Sequence, residues 1–407
     1  MQHLIIDNGS YEIKAGFSSA DTPLKVQNTV AKTRDGVIYV GNDFLTNNNN
    51  YSGIMLKRPF SQGHLTSWET EKPVWDYTLQ KLGGADKKGV DPSQTHLILT
   101  EPPFQLPQLS INTDQIVFEE YGFNEYFRCI PPLLVPWVAE ANDFYLVVDS
   151  GHDATWVVPM IYQSVHWEGV RKLPVGGKLL AGLLAETISF RHYDVSEEPV
   201  LVNTIKEQTC FIAPEGKFQD YLKNKSKYEC EFILPDFKTT TTGYVRTPKT
   251  KITADTQILK LYDERFTVPE SYYHPEIIFD NHRATAHSAL LQQTPFKNLA
   301  DLIVEAVMAS PKVTRPMLVA NICIVGGSTK FPGFDARLKA ELEKELPQQW
   351  HLQFRDVEDT GREEVAWVGG ANLADSDVLD KVSISKKEYF EHGSNWCQKQ
   401  FGFKNLT

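Results

Sequence analysis

Two short stretches carry residues able to handle phosphate. In the first, Leu4-Ile5-Ile6 reads as a buried strand leading into Asp7-Asn8-Gly9-Ser10, and apolar residues resume at Ile13, Ala15 and Phe17. Asn-Gly is a strong hairpin signal because both residues tolerate positive φ. The pattern sets a carboxylate at a strand mouth, beside a tight turn whose free backbone N–H groups form an anion-binding concavity. Ser10 adds a hydroxyl donor, and Lys14 returns on the second strand as a point charge for phosphate. Phe144 to Met160 repeats the plan with an apolar strand, Asp149, the small turn Ser150-Gly151, and Thr155 to Val158 as the returning strand. One strand–Asn-Gly–strand is usually only a hairpin. Two Asp-led copies predict a duplicated core with a cleft between its halves. Facing carboxylates beside amide-rich turns suit a metal–triphosphate, because Mg²⁺ keeps most of its waters and needs one or two carboxylates plus phosphate oxygens.

A third signal is Ile322 to Val325 as a strand, Gly326-Gly327-Ser328-Thr329 as a turn, and Phe334 to Leu346 as a helix ended by Pro347. A Gly-Gly pair lets backbone approach a flat ligand with no Cβ in the way. By itself this is an ordinary strand-to-helix turn; beside the two hairpins it points to a nucleotide.

The elements that must position these loops follow in order. Leu24 to Val30 and Gly36 to Val40 read as short strands, and Asn47 to Asn50 as an exposed loop. Leu65 to Leu79 places Trp68, Val74, Trp75 and Leu79 on one helical face behind a Thr66/Ser67 cap, with a break or kink expected at Pro73. Thr95 to Leu99 is a buried strand stopped at Thr100-Glu101-Pro102-Pro103. Asn112 to Glu120 reads as a helix with Ile116 and Val117 inward, and Leu133 to Ala139 as an irregular one among prolines. Helices are also expected at Lys178 to Phe190, opened by Val175-Gly176-Gly177, and at Thr204 to Cys210 and Phe296 to Ala309. Asp220 to Thr256, with its lysines and four consecutive threonines, is the least core-like stretch, by default a solvated, variable subdomain.

Composition narrows the classes. A chain of 407 residues holds at least two compact lobes, and 41% hydrophobic with 23% charged residues is ordinarily globular. Met1-Gln2-His3 leads straight into a strand, leaving no room for a signal peptide, and no apolar run approaches the ~20 residues of a membrane span. Five scattered cysteines without a CxxC fit a reduced intracellular setting. A net charge of −11 argues against general nucleic-acid binding and is mostly a matter of solubility.

Many motifs together resemble actin in actin order, from end to end. They are Asp7 to Ser10 with Lys14-Ala15-Gly16-Phe17, Thr100-Glu101-Pro102-Pro103, Asp149-Ser150-Gly151, Ile205-Lys206-Glu207, Arg265-Phe266, Gly326 to Thr329 with Phe331-Pro332-Gly333, Trp367-Val368-Gly369-Gly370, and Ile384 to Tyr389. Ser189 to Tyr193, Leu234-Pro235-Asp236-Phe237 and Glu391-His392-Gly393 with Trp396-Cys397 are similar to one nuclear class of the family, actin-related protein 6. The resemblance implies an α/β fold: the duplicated actin-like ATPase fold, two lobes each with a mixed β-sheet flanked by helices, and a nucleotide cleft between them. It implies four subdomains: residues 1–28, 61–139 and 365–407; residues 29–60; residues 140–174 and 276–364; and residues 175–275. It implies ATP or ADP with Mg²⁺ held through water by Asp7 and Asp149. Ser10, Lys14 and the turns around Gly9 and Gly151 would contact phosphates, Lys206 and Glu207 would lie by ribose and base, and Gly326, Gly327, Ser328 and Phe331 would wall the adenine. Tyr11, His152, Asp153 and Gly176 complete the implied site.

Departures from actin bear on mechanism. Tyr11 stands where actins have glycine, and His152-Asp153 where they have aspartate and glycine, so a ring and an anion replace close neutral backbone near a γ-phosphate. The water-orienting glutamine falls at Pro132, which has no side-chain hydrogen-bonding group, and Glu363 replaces a base-contacting lysine. Val40-Gly41 to Lys57 is shorter than the actin segment that inserts into the next filament subunit, so no filament is expected. Members of this class are subunits of SWR-type chromatin remodellers that exchange an ordinary histone for a variant. The resemblance therefore implies a non-catalytic nuclear scaffold, with cytoplasm as a second location. Its partners would be other remodeller subunits, and histones or the nucleosome indirectly. An active ATPase or kinase on the same core needs a replacement catalytic carboxylate or glutamine near Pro132, and none is evident; an actin-type cytoskeletal regulator is the other alternative. A chaperone-like ATPase needs a peptide-binding domain, for which the chain after Lys386 leaves no room.

Overall fold

The computed structural model describes residues 2–46, 51–83, 89–139, 141–238, 240–280, 297–357 and 360–402. The first sheet contains β1 (Gln2–Asn8), β2 (Glu12–Phe17), β3 (Leu24–Gln27), β4 (Thr95–Thr100) and β5 (Glu125–Cys129). β1 runs antiparallel to β2 and parallel to β4, β4 runs parallel to β5, and β3 extends the β2 edge. The second sheet contains β6 (Phe144–Ser150), β7 (Thr155–Ile161), β8 (Arg171–Leu173), β9 (Ile322–Val325) and β10 (Phe354–Arg355). β6 runs antiparallel to β7 and parallel to β9, β9 parallel to β10, and β8 extends the β7 edge. Five strands of each six-stranded sheet thus share one topology; the sixth differs, Ile384–Ser385 pairing with β5 in the first sheet and Ser164–Val165 with β7 in the second. This is the duplication that the paired Asp-led hairpins predict.

Alternation along β6 joins the halves. Tyr145 and Val147 pack with the core that encloses β1 and β4, while Leu146 and Val148 pack with the second lobe. Among the described residues, the longer helices around the sheets include α1 (Trp68–Leu82), α2 (Gly177–Arg191), α3 (Pro199–Thr209), α4 (Leu299–Ala309), α5 (Phe334–Glu345) and α6 (Val365–Ala374). Among the described residues no helix is long and apolar enough to cross a membrane, and all five cysteines are free and buried.

Several expectations are corrected. The strand predicted from Leu24 to Val30 is two. β3 stops at Gln27, and Val30–Lys32 turns into a separate three-stranded sheet with Ile38–Val40 and Met55–Lys57. Pro73 does not break α1, which runs on to Leu82 behind the Ser67 cap; the carbonyl that Pro73 leaves without its helical donor belongs to exposed Glu69. The helix predicted from Asn112 starts at Pro107, where proline suits the first turn, and its end from Ile116 to Tyr121 widens to a π-helix. That widening turns Val117 and Phe118 inward and leaves Ile116 half-buried. Pro131–Trp137 forms a 3₁₀ helix, and Cys230–Ile233 in the stretch read as least core-like is a strand with Phe232 fully buried. Asn47 to Asn50 and Phe296 lie outside the described residues.

Candidate functional site: a cleft between two Asp-led hairpins

Asp7 sits near the end of β1, where parallel β4 delivers Thr100 beside it. The Thr100 hydroxyl donates to Asp7 Oδ1 at 2.8 Å and accepts from the Asn8 N–H at 3.0 Å. Directly across the ladder, Lys14 Nζ lies 3.1 Å from Asp7 Oδ2. Burial opposes the charge on Lys14, but the Asp7 carboxylate raises its pKa on balance. The turn is not the Asn-Gly type expected, since neither Asn8 nor Gly9 takes a positive φ. Glycine is required for space: a Cβ at Gly9 would stand 2.6 Å from the Glu12 carbonyl oxygen.

Asp149 occupies the matching place on β6. Burial, then the charge of Asp7, pushes its carboxyl up to about 6, with Lys14 pulling the other way. The two aspartates therefore feel one another across the cleft. The third loop closes against them: Gly326 has φ +91°, and a Cβ there would lie 2.3 Å from Ser150 O and 2.8 Å from Asp149 Oδ1. Ser328 Oγ donates to the Gly151 carbonyl at 2.8 Å, and the N–H groups at the head of α2 donate to the second loop, Gly177 to Gly151 O and Lys178 to His152 O. Lys206 on α3 donates to Gly177 O at 3.1 Å and to Asn203 Oδ1 at 2.7 Å.

These loops enclose a cleft of about 700 Å³ lined by Asp7, Gly9, Ser10, Tyr11, Lys14, Asp149, Gly151 and His152, together with Lys206, Glu207, Gly326, Gly327, Ser328 and Phe331. Two residues of the implied site are elsewhere. Asp153 does not line the cleft and lies 4.0 Å from Lys178; Gly176 is a packing glycine, where a Cβ would meet His152 O at 2.7 Å. Pro132 is buried behind the cleft, and Pro131 and Val135 form the wall instead. Glu363 does line it, but its carboxylate is engaged by Lys330 at 2.9 Å and Lys25 at 3.5 Å.

Glu12, Lys25, Gln27, Asn203 and Arg362 also line the cleft and carry no motif. Alternation along β2 is the signal that finds Glu12, on the Lys14 side and opposite buried Ile13 and Ala15. Gln27 follows by register, paired with Glu12.

The donor set fits a divalent cation. Both carboxylates line the cleft, Lys14 pairs with Asp7, and the like charge of Asp7 adds to burial in hindering ionisation of Asp149; a bound cation relieves that repulsion. Asp7 and Asp149 are the residues that would hold it, and the ion would supply positive charge to phosphate oxygens.

The family model described as Actin matches residues 1–402. The chain is 60% identical over 413 residues to the actin-like protein ARP6 of Debaryomyces hansenii, covering all of this chain and 99% of the relative. It is 57% identical to the protein of that name from Candida albicans, with the same coverage. With actin-related protein 6 of Neurospora crassa it shares 32% over 437 residues, covering 98% of this chain and 94% of the relative. Two sheets alike in five strands, facing aspartates and these end-to-end matches make the chain a member of the actin family, in its actin-related protein 6 class.

Proposed function

We propose that the cleft binds ATP or ADP with Mg²⁺ as a structural clamp between the lobes, with little or no hydrolysis. We propose further that the protein is a non-catalytic scaffold subunit of a nuclear SWR-type histone-exchange remodeller, assembled into a hetero-complex rather than a filament. The four-subdomain division set out above belongs to the same proposal. The facing of Asp7 and Asp149, one from each half of a duplicated core, carries it. A ligand gripped by both must hold the halves together. The weak hydrolysis is supported by the wall where a water-positioning group would stand: Pro131 and Val135 offer no side-chain donor or acceptor. Ser10, Lys14 and the amides of the two turns would orient the phosphates, and Lys206, Glu207 and the Gly326 turn the nucleoside. Purified protein given Mg-ATP should bind it and release well under one phosphate per minute. Multiple turnovers per minute that vanish in Asp149→Ala would overturn the non-catalytic role. Tagged native protein should co-purify with remodeller subunits, and purification alone would overturn the scaffold role.

A further inference from the structure

The space between the two hairpin loops is spanned by side chains. The Tyr11 ring leaves the first loop and meets the His152 ring of the second, centroids 4.9 Å apart and planes at 45°. Rings at that separation are in contact, leaving no slot for a third body between them. Tyr11 is held at both ends. Arg58 lies over its face at 4.4 Å and donates through Nη1 to the Tyr11 carbonyl at 2.7 Å, while Asn203 on α3 donates to its hydroxyl at 3.0 Å. Asn203 is itself bound to Glu207 Oε1 at 2.7 Å, and the same Arg58 nitrogen also reaches the Asn28 carbonyl at 3.2 Å. The bridge thus ties the first loop to the second loop and to α3, elements of opposite lobes.

This arrangement is poor company for a further phosphate. Burial keeps the His152 imidazole neutral, so it brings no cation to the gap. Of the cations beside the rings, Arg58 is engaged by two carbonyls, Lys206 by Gly177 O and Asn203 Oδ1, and Lys178 faces Asp153. Entry of a phosphate between the loops requires the stacked rings to part and the Asn203 bond to break.

We propose that Tyr11 and His152 make the cleft selective for a nucleoside diphosphate over the triphosphate, by filling the place between the loops that a terminal phosphate would enter. The proposal rests on the nucleotide function above and names which form is held. In that function the amides of the two hairpin turns face the phosphates, so a phosphate brought between the turn tips meets the paired rings of Tyr11 and His152.

The test is competition against a fluorescent ADP on the purified full chain in Mg²⁺, with ADP and the non-hydrolysable imido analogue of ATP as competitors. ADP should bind at least about tenfold more tightly, the scale expected when a packed side chain must be displaced. Tyr11→Gly should bring the two affinities to within about threefold, and His152→Gly, which leaves the first loop untouched, should narrow the gap in the same direction. Equal or tighter binding of the analogue by the parent protein overturns the proposal while leaving nucleotide binding intact. So does an unchanged ratio in both variants. Failure of the parent to bind either ligand ends the nucleotide function, and this selectivity with it.

Discussion

Glu71 shows how much one buried carboxyl governs behind the first loop. It is fully buried on α1, accepts from Trp75 Nε1 at 3.1 Å and Asn28 Nδ2 at 3.3 Å, and has one oxygen without a partner. Asn28 also donates to the Gly9 carbonyl at 3.1 Å, so Glu71 supports the loop through it. Burial raises its pKa from 4.5 to about 7. The unfolded chain therefore loses this proton first, and folding becomes less favourable as pH rises from about 4.5 to about 7, with the full penalty present above that. Glu71→Gln keeps an acceptor and removes the charge. It should be more stable than the parent near about pH 8 by on the order of 2 kcal/mol and equal to it at about pH 4. Denaturant midpoints across that range check this; parallel pH profiles for both proteins would refute it.

At the scale of elements, local signals hold best where burial and capping agree. α4 begins with a capping box, Asn298 accepting from Asp301 N and Asp301 accepting from Asn298 N, both at 3.0 Å. It buries Leu299, Leu302, Ile303, Ala306 and Val307 in the second core. Asn298→Ala should cost about 1 kcal/mol, read as a lower denaturant midpoint with unchanged slope. A midpoint equal to the parent's would show that the cap is redundant. The π-helix at Ile116–Tyr121 is the opposite case, where tertiary packing of Val117 and Phe118 overrides the regular period.

For the whole molecule, a second set of contacts joins the lobes beyond the cleft. Tyr51 is buried, donates to the Thr241 carbonyl at 2.6 Å, and packs edge-on against Phe237 with centroids 5.0 Å apart. Glu198 accepts from the Gly53 N–H at 3.0 Å. Glu198 caps α3, the helix that carries the cleft residue Asn203, so opening the cleft must break this strap. Tyr51→Ala should speed release of a fluorescent nucleotide about tenfold while changing its association rate little, because such contacts act mainly on dissociation. Stopped-flow chase with excess unlabelled nucleotide measures both rates, and an unchanged release rate would refute the strap.

The chain by itself determined where the two Asp-led hairpins lie, though not the turn type at Asn8-Gly9, because alternation, Gly and Pro act over a few residues. The hairpins at Asp7 and Asp149, the Gly326 turn and the faces of α1 and α4 were all legible that way. Only the tertiary structure decided that Pro131 rather than Pro132 meets the cleft, that Asp153 and Gly176 do not, and that Lys25, Asn203 and Arg362 do. Those placements depend on how sheets and helices far apart in sequence pack against one another. Local periodicity says which side of an element a residue occupies, whereas packing chooses what that side will face.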